Sequence, residues 1–403
     1  MTVNQEKLDA LVGRLITEIS AGYGGVMVAL GDKLGLYKAM AGAGPLSSQE
    51  LARRSGCAER YVREWLNSQV AGGYLDYHKL SRTYELSPEQ EAVLANELSP
   101  VFLPFAWQIV ASMWADEDKT LAAFRSGKGV SWGEHDERLF CGIAAFYRNA
   151  YSASLIDAWL PMLDGVMGKL EKGATVADVG CGHGHSTVLM ATAFPESRFW
   201  GFDTHGESIE IARRVAKAAG VEDRVNFEIA KADGYERRGY DLVCFFDCLH
   251  DMGRPVEAAR YASSAMAEDG TLMLIEPYAG DRVEENINPI GRLYYAGSTT
   301  MCCAHAISEK GTHVLGAQAG PQQLETVLKS AGFGSVRRAG TTPFNLISRP
   351  GSKQAFRSLW PILLGIGRED GRAFGPEAMP KIDGKVSRRG RSRGVRPGRA
   401  GRG

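Results

Sequence analysis

The chain has 403 residues, of which 44% are hydrophobic and 23% are charged, a composition typical of globular proteins that excludes a fully disordered chain. Lys and Arg number 47 and Asp and Glu also number 47, so the formal net charge is zero and a uniformly polyanion-binding surface is not expected. The total conceals an asymmetry, because residues 351–403 carry 13 basic and 4 acidic side chains, whereas residues 1–350 carry 34 and 43.

The cysteines and the N-terminus bear on the cellular location. Seven cysteines, an odd number without repeated CxxC spacing, favour a reduced interior. The first residues, MTVNQEKLDALVGRL, include acidic side chains and lack the apolar segment of a signal peptide. No apolar run approaches the roughly 18 residues of a membrane-spanning helix. We therefore expect a cytoplasmic protein without a membrane partner.

The first 100 residues are expected to be mainly helical. Apolar spacing over Leu8–Met40 predicts two helices, interrupted by the Gly-rich stretch at residues 21–25. A further helix begins near Pro45 with a Ser cap and ends at Gly56, and the next extends over residues 58–71. The apolar face of that last helix is expected to contain Tyr61, Trp65, Leu66 and Val70.

Two strand-like segments, at residues 73–77 and 83–86, follow these helices, and the order helix, turn, helix, hairpin predicts a winged helix. Such domains often bind DNA, but residues 1–100 contain 10 basic and 12 acidic side chains, and Arg60 and Arg63 stand among glutamates. Phosphate binding needs a net positive face. We therefore expect residues 1–100 to form a dimerisation and lid domain, and nucleic acid is not an expected partner.

Residues 101–165 form a helical connector that is rich in aromatic side chains, most of which are expected in the core. Within it, the Gly-rich loop at residues 126–135 carries Trp132 and His135 beside Glu134. Two interpretations of this loop remain open, a plain surface loop and a cover over a substrate pocket.

The most informative pattern begins at Thr175. A short apolar strand over residues 175–179 is followed by the glycine loop GCGHG at residues 180–184 and by a helix from His185. Strand, glycine loop and helix predict a doubly wound α/β fold, in which ligands bind at the carboxyl ends of the strands. The loop reads GxGxG rather than GxGxxG and has Asp178 just before it. An acid there suits a cationic ligand, such as S-adenosylmethionine, better than a diphosphate.

Acidic residues also follow the next predicted strands. The strand at residues 197–202 ends in Asp203, where a carboxylate can accept both hydroxyls of a ribose. Asp233 follows the third strand and suits an adenine amino group. The fourth strand, residues 240–246, ends beside Asp247 and the segment that contains His250.

With these motifs, the chain resembles the class I S-adenosylmethionine-dependent methyltransferases, through DVGCGHG at residues 178–184, the acid in GFDTH, the KADG turn and YDLVCFFDCLHD. The resemblance covers roughly residues 150–349 and places the cofactor-binding domain at residues 166–349. With the winged helix, the chain is similar to a bacterial group of two-domain methyltransferases. More distantly, it is similar to small-molecule O-methyltransferases that dimerise through such a domain.

The resemblance implies a seven-stranded Rossmann-like sheet whose last strand is antiparallel. Strands five to seven are then expected at residues 270–277, 335–338 and 344–347. It also implies S-adenosylmethionine as the cofactor, no metal, a homodimer, and cofactor contacts from several groups of residues. These are Asp178, Gly180, Gly182 and Gly184 for the methionine part, Asp203 for the ribose, Ala232 and Asp233 for the adenine, and Phe246 and Asp247 for the near side.

Methyl transfer to a hydroxyl needs a group that removes a proton, and a histidine suits this role because its ordinary pKa lies near 6.5. His250 follows strand four at the end where the methyl donor is expected, and in plant-type O-methyltransferases the matching Leu-His-Asp segment carries the base. The alternative is that His250 caps the next helix. Asp251 is expected either to orient the imidazole or to cap the helix that starts near Pro255.

Residues 277–320 are too many for a routine loop, and an insertion there is expected to cover the acceptor pocket. Cys302 and Cys303 are expected to be buried rather than to bind metal, because no second cysteine pair accompanies them. The insertion's other candidates are Asn286, Asn288, Arg292, Tyr294, Tyr295, Ser298, His305 and His313.

Residues 350–403 form an Arg/Gly-rich tail, and its last part, residues 386–403, holds seven Arg and five Gly. Such a composition predicts disorder. The tail either attracts RNA or acidic surfaces or is an extension without function.

The main functional hypothesis is therefore an enzyme that transfers methyl groups to a small, hydroxylated molecule. Two alternatives remain at this stage. One is an S-adenosylmethionine-binding fold with other chemistry, and the other is a DNA-binding regulator that senses this cofactor.

Overall fold

The computed structural model of the chain describes residues 3–236 and 238–350, so the prediction for the tail lies outside the described residues. The N-terminal domain begins with α1 (Gln5–Lys33), α2 (Leu36–Met40), α3 (Ser48–Ser55) and α4 (Glu59–Ala71), followed by a hairpin of β1 (Asp76–His78) and β2 (Thr83–Glu85). Ser47 caps α3 through a reciprocal capping box with Glu50, as the sequence predicts. The order of these elements confirms the predicted winged helix.

Two helices extend to Met40, as predicted, but the predicted break is misplaced, because α1 continues through the Gly-rich stretch to Lys33 and the interruption lies at Leu34 and Gly35. The glycines serve packing instead of a break. A Cβ atom on Gly25 would lie 2.0 Å from the Trp107 ring, and one on Gly31 would lie 2.5 Å from the Trp65 ring. The absence of a side chain therefore lets these indoles pack directly against the helix backbone.

The predicted apolar face of α4 needs one correction. Trp65 and Leu66 are buried, but Tyr61 is 81% exposed, and Val62 lies in the core in its place. The basic residues of this helix are paired within it. Arg60 donates to Glu64 at 2.5 Å and Arg63 to Glu59 at 2.5 Å.

The connector is helical, as expected. After α5 (Pro88–Leu94), which precedes it, the connector comprises α6 (Ala106–Ala115), α7 (Glu117–Ser126) and α8 (Arg138–Ser154), then π-helical and 3₁₀ turns; α9 (Val166–Lys172) follows it. Not all of its aromatic residues belong to the core, because Trp114 is 73% exposed and Phe124 72%.

The C-terminal domain contains a seven-stranded sheet in the order β5-β4-β3-β6-β7-β9-β8. The strands are β3 (Thr175–Val179), β4 (Arg198–Asp203), β5 (Val225–Ile229), β6 (Tyr240–Phe246), β7 (Met266–Pro277), β8 (Val336–Thr341) and β9 (Asn345–Pro350). The five strands β3 to β7 run parallel to one another, and β9 is antiparallel to both β7 and β8. This confirms the predicted fold class, although β7 begins four residues before the expected Gly270.

The helices of this domain are α10 (His185–Ala193), α11 (Gly206–Ala219), α12 (Pro255–Ala265), α13 (Pro289–Gly297), α14 (Cys303–Ser308) and α15 (Pro321–Ser330). The sheet is buried between two apolar clusters, which include Phe199 and Phe227 in one and Phe202 and Phe245 in the other. Because the parallel strands are buried between these clusters, their sequences are continuous apolar runs. Among the described residues, no helix combines the length and apolarity that a membrane crossing requires.

Candidate active site

A cavity of about 600 Å³ lies at the carboxyl ends of β3, β4 and β6. Its floor is formed by the loops after these strands. Its walls come from α6 and α8 of the connector and from α13 and α14 of the insertion at residues 277–320. This is the position at which doubly wound sheets bind their ligands.

The glycine loop leaves one side of the cavity open. Gly182 has φ +52°, and a Cβ placed on it would meet no atom within 4 Å, so the backbone is exposed to whatever fills the cavity. Its amide donates a hydrogen bond to Oδ2 of Asp203 at 2.9 Å. Asp203 also accepts from the amide of His205 at 2.8 Å, and these two bonds hold its carboxylate at the cavity edge.

Seven of the nine predicted cofactor residues line this cavity: Gly180, Gly182, Asp203, Ala232, Asp233, Phe246 and Asp247. Asp178 and Gly184 are not among the lining residues, contrary to expectation. A Cβ on Gly184 would lie 2.5 Å from the Phe227 ring, so this glycine lets α10 pack closely on the sheet. Asp178 is fully buried and accepts hydrogen bonds from Ser186 and Thr187 at 2.6 Å each, so it supports the loop from behind.

Four carboxyl groups at or beside the cavity have raised pKa values, because nearby positive charges do not offset the effect of their burial. Burial raises the pKa of Asp178 to about 6 and the pKa of Asp251 to about 7. Burial also raises the pKa of Asp203, and it raises that of Asp247 well above its ordinary value. Each shift reflects the cost of placing a negative charge in a poorly solvated site.

Two of these acids each have a carboxylate oxygen without a hydrogen-bond partner in the described ranges of the chain. Within the described residues, Oδ1 of Asp178 and Oδ2 of Asp247 are buried without a hydrogen-bond partner. A cationic ligand in the cavity would compensate Asp247, which lines it, because an opposite charge nearby favours the ionised carboxylate; Asp178 lies behind the glycine loop. The residues therefore fit S-adenosylmethionine, which carries a sulfonium and an ammonium group beside a ribose and an adenine.

His250 lies in the 3₁₀ turn Leu249–Asp251 that follows β6, and its ring lines the cavity. Its Nδ1 donates to Oε2 of Glu276 at 2.5 Å, and the amide of Leu249 donates to Oε1 of the same carboxylate at 3.0 Å. Glu276 lies near the end of β7, which is the strand next to β6. Burial lowers the pKa of His250, but Glu276 and Cys302 together outweigh it, so the pKa is raised well above 6.5.

The expected roles of Asp251 are both wrong in detail. Its side chain lines the cavity, but the hydrogen bond that orients the imidazole comes from Glu276. α12 begins at Pro255, its N-cap residue is Arg254, and no side chain forms a capping hydrogen bond there. The alternative that His250 caps this helix is excluded by the same geometry.

Asp247 is held in an unusual backbone conformation, with φ +52°. Its amide donates to the carbonyl of Ile275 at 2.7 Å, and its Oδ1 accepts from Nδ2 of Asn345 at 2.7 Å. Asn345 is the first residue of β9, so the last strand fixes a carboxylate at the cofactor side of the cavity.

Aromatic side chains of the connector form much of the remaining wall. Trp132, Phe140, Phe146, Tyr147 and Tyr151 all line the cavity. Sequence reasoning placed these rings in the core. The available signal was the Gly-rich loop that carries Trp132, for which a position over a substrate pocket was one of two open interpretations.

The insertion also contributes to the cavity, as expected from its length. Of its eight candidates, Tyr294, Ser298 and His305 line the cavity, together with Cys302. The others do not; Arg292, for example, pairs with Glu18 of α1 at 2.7 Å. Cys302 is buried and interacts with the His250 ring. In the described part of the chain, no cluster of His, Cys, Asp and Glu is arranged to hold a metal ion.

Known protein families match two separate segments of the chain. Residues 22–96 match the family described as Rv2258c-like winged HTH domain, and residues 170–332 match a methyltransferase domain family. These matches agree with the winged helix and with the sheet that carries the cavity.

Three similar proteins illustrate the relationship. The O-methyltransferase SfmM3 of Streptomyces lavendulae is 25% identical over 73% of this chain and 86% of its own length. The 27-O-demethylrifamycin SV methyltransferase of Amycolatopsis mediterranei is 32% identical over 32% of this chain and 48% of its own length, so the match spans about half of that relative. The structure of human N-acetylserotonin methyltransferase in complex with SAM superimposes with a TM-score of 0.61 at 17% identity, covering 85% of this chain and 98% of that one.

The glycine loop, the acids at the strand ends and the two matched domains agree with one another. The chain therefore combines an Rv2258c-like winged HTH domain at residues 22–96 with a methyltransferase domain at residues 170–332.

Proposed function

We propose that this protein methylates a hydroxyl group on a small, largely aromatic acceptor. The observation that carries the proposal is that one cavity is lined by an acid-rich cofactor side, by His250, which the buried Glu276 holds, and by aromatic rings of the connector and the insertion. Its volume of about 600 Å³ is in the range of small-molecule sites, roughly 300–1,000 Å³. SfmM3 is named an O-methyltransferase, and the Amycolatopsis relative is named for 27-O-demethylrifamycin SV.

The chain's own residues would then divide the work as follows. Asp203 accepts the ribose hydroxyls, Asp233 and Ala232 border the adenine, and Asp247 faces the positive end of the cofactor. Bound there, S-adenosylmethionine supplies a methyl group that is already activated by the sulfonium. Alignment of two reactants in such a cavity can contribute up to about 7–11 kcal/mol to the lowering of the barrier.

His250 would remove the proton of the acceptor hydroxyl. Glu276 accepts from Nδ1, so the proton arrives at Nε2, the other ring nitrogen. The carboxylate stabilises the imidazolium that forms, and the aromatic wall keeps water from the reacting oxygen.

The test has two stages. Calorimetry should show binding of S-adenosylmethionine, and formation of S-adenosylhomocysteine should then be measured against a panel of phenols and naphthols. We expect His250→Ala to lower kcat by on the order of 10²–10⁴-fold while leaving cofactor affinity within a few-fold.

A matched control exists in the wing, where Nε2 of His78 hydrogen-bonds Glu85 at 2.6 Å in an exposed pair. His78→Ala should leave turnover unchanged. Normal turnover in His250→Ala would show that His250 is not the base, and saturation by a nicotinamide nucleotide instead of S-adenosylmethionine would overturn the assignment as a whole.

We also propose that the protein is a homodimer that contacts its partner copy through α1. This helix exposes a regular apolar stripe of Leu8, Leu11, Val12, Leu15, Ile16, Ile19, Tyr23, Val26 and Leu30. A contiguous apolar stripe that is exposed on the surface usually marks an interface. A cytoplasmic location is supported by the seven cysteines, all of which are free in the described part of the chain.

The regulator alternative finds little support in the charges of α4. Arg60 and Arg63 each pair with a glutamate of the same helix, so neither contributes a free positive charge for phosphate. The salt dependence of DNA binding remains the direct test of that alternative.

A further inference from the structure

A segment of the connector is fixed onto the insertion at the acceptor side of the cavity. The amide of Val130 donates to the carbonyl of Ala304 at 3.0 Å, and the amide of Trp132 donates to Nδ1 of His305 at 3.2 Å. Gly129 allows this approach, because a Cβ on it would lie 2.2 Å from the Ala304 carbonyl. The position of the His305 ring is therefore set by a segment that is more than 170 residues away in sequence.

This contact determines which nitrogen of His305 carries the proton. A backbone amide only donates, so Nδ1 must be the acceptor. The neutral ring then carries its hydrogen on Nε2. Burial lowers the pKa of His305 and outweighs the opposing effect of Glu309, so the ring is neutral near pH 7.

The Nε2 donor has no hydrogen-bond acceptor among the residues that the structure describes. The nearest carboxylate atom is Oε1 of Glu309, 3.9 Å away, which is beyond hydrogen-bond distance. The other oxygen of Glu309 already accepts from the amide of Gly253 at 2.8 Å. His305 thus presents an N–H donor without a protein acceptor in the described part of the chain, on a ring that lines the cavity.

The surroundings of this donor are aromatic and lie close to the proposed base. The Trp132 ring is 5.9 Å from the His305 ring and 5.9 Å from Phe140, between ring centroids. Cys302, which interacts with His250, precedes His305 by three residues, and both histidines line the same cavity.

We propose that Nε2–H of His305 donates a hydrogen bond to a second oxygen of the acceptor, so the preferred substrates are aromatic molecules with an ether or carbonyl oxygen in addition to the methylated hydroxyl. This inference rests on the proposed function. It assigns His305 to the choice of acceptor, whereas His250 takes the proton.

The test compares acceptors that differ by one oxygen. The probes are 2-naphthol and its 3-, 6- and 7-methoxy derivatives, each with a single free hydroxyl. We expect the wild type to prefer at least one methoxy compound over 2-naphthol by about three- to tenfold in kcat/KM, the range that one neutral hydrogen bond gives. His305→Phe should abolish this preference, and His305→Gln, which keeps a donor at a similar distance, should retain most of it.

Binding gives a second readout that does not depend on turnover. Calorimetric titration of the four naphthols, with S-adenosylhomocysteine present, should show the same ranking for the wild type and its loss in His305→Phe. Nitrogen-15 chemical shifts should identify Nδ1 of His305 as unprotonated near pH 7. His313→Phe, at an exposed position of the insertion, is the matched control and should leave ranking and turnover unchanged.

The outcomes separate the two proposals. Equal binding of all four naphthols, failure of all four to bind, or a preference that survives in His305→Phe would overturn the role of His305. Binding with the expected ranking but without methylation would leave that role intact and would overturn hydroxyl methylation.

Discussion

The proton affinity of His250 depends on its contact with Glu276. In spite of burial, this carboxylate and Cys302 together raise the pKa of the imidazole well above 6.5. A base must be neutral before it can accept a proton, so turnover should rise with pH above 6.5 and level off beyond the raised pKa. The same raised pKa means that the pair stabilises the folded state below about pH 6.5 and that this contribution is lost as pH rises through the raised value.

Glu276→Gln should therefore move the rising part of the kcat–pH profile to lower pH and lower the plateau, because the imidazole becomes a weaker and less firmly oriented base. Stopped-assay kinetics between pH 5.5 and 9.5 would measure both effects. Glu85→Gln, in the exposed pair with His78, should leave the profile unchanged. An unshifted profile in Glu276→Gln would show that this carboxylate does not set the pKa.

Two glycines of the same loop are expected to respond differently to substitution. Gly182→Ala places a methyl group in the open cavity, at a cost of roughly 1–2 kcal/mol for its positive φ, and should mainly weaken cofactor binding. Gly184→Ala has the same backbone cost and also collides with Phe227, which should add about 1–3 kcal/mol to its loss of folding stability. Denaturant unfolding and calorimetry distinguish them, and equal stabilities for the two variants would contradict this assignment.

The individual site residues were predictable to different degrees. His250 follows directly from its position after a buried strand, because the end of a parallel strand is also the edge that binds the ligand. The sequence placed Glu276 in a strand but indicated no role for it. Its contact with His250 depends on β7 lying next to β6, which the sequence alone does not show. The motif likewise located the glycine loop, but it could not show that Asp178 and Gly184 face away from the cavity.

The helix α1 illustrates the same limit for a whole element. Its glycines predict a break on local propensity, yet Gly25 fits against Trp107, a residue 82 positions later in the chain. Such a tertiary contact outweighs the roughly 1 kcal/mol that a glycine costs in a helix. The predicted winged helix, by contrast, was confirmed because caps and turns are local signals, as in the Ser47–Glu50 capping box.

The exposed stripe of α1 leads to a prediction about assembly. Leu15→Asp combined with Ile19→Asp places two charges in the proposed interface and should convert the dimer to a monomer, as measured by light scattering after gel filtration. Thr17→Asp, on the opposite face of the same exposed turn, is the matched control and should remain dimeric. A monomeric wild type, or a double variant that stays dimeric, would contradict an interface at this stripe.

Across the whole molecule, the cavity combines carboxyl groups from several loops with few cations. Of the acids that line it, Asp251 has a pKa that burial raises to about 7, and burial also raises the pKa of Asp203 and of Asp247, so Asp251 is partly protonated near neutral pH. A cationic ligand prefers the ionised forms, and its binding should lower these pKa values and release protons.

S-adenosylmethionine should therefore bind more weakly as the pH falls from 8 to 5, by up to about tenfold per pH unit for each carboxylate that must ionise. Calorimetry in buffers of different ionisation enthalpy would count the protons released. S-adenosylhomocysteine, which lacks the sulfonium charge, should show a smaller dependence. Identical pH dependence for the two ligands would mean that the acids do not recognise the charge on sulfur.

The hydrogen bond from Asn345 to Asp247 has a consequence for the order of assembly during translation. The ribosome releases the chain from its N-terminus, and β9 reaches its place between β7 and β8 only after nearly 350 residues have been made. Until then the carboxylate of Asp247 lacks the amide that holds it, although the winged helix and the parallel strands have already emerged. A nascent chain should consequently acquire its affinity for the cofactor abruptly, when this final strand docks.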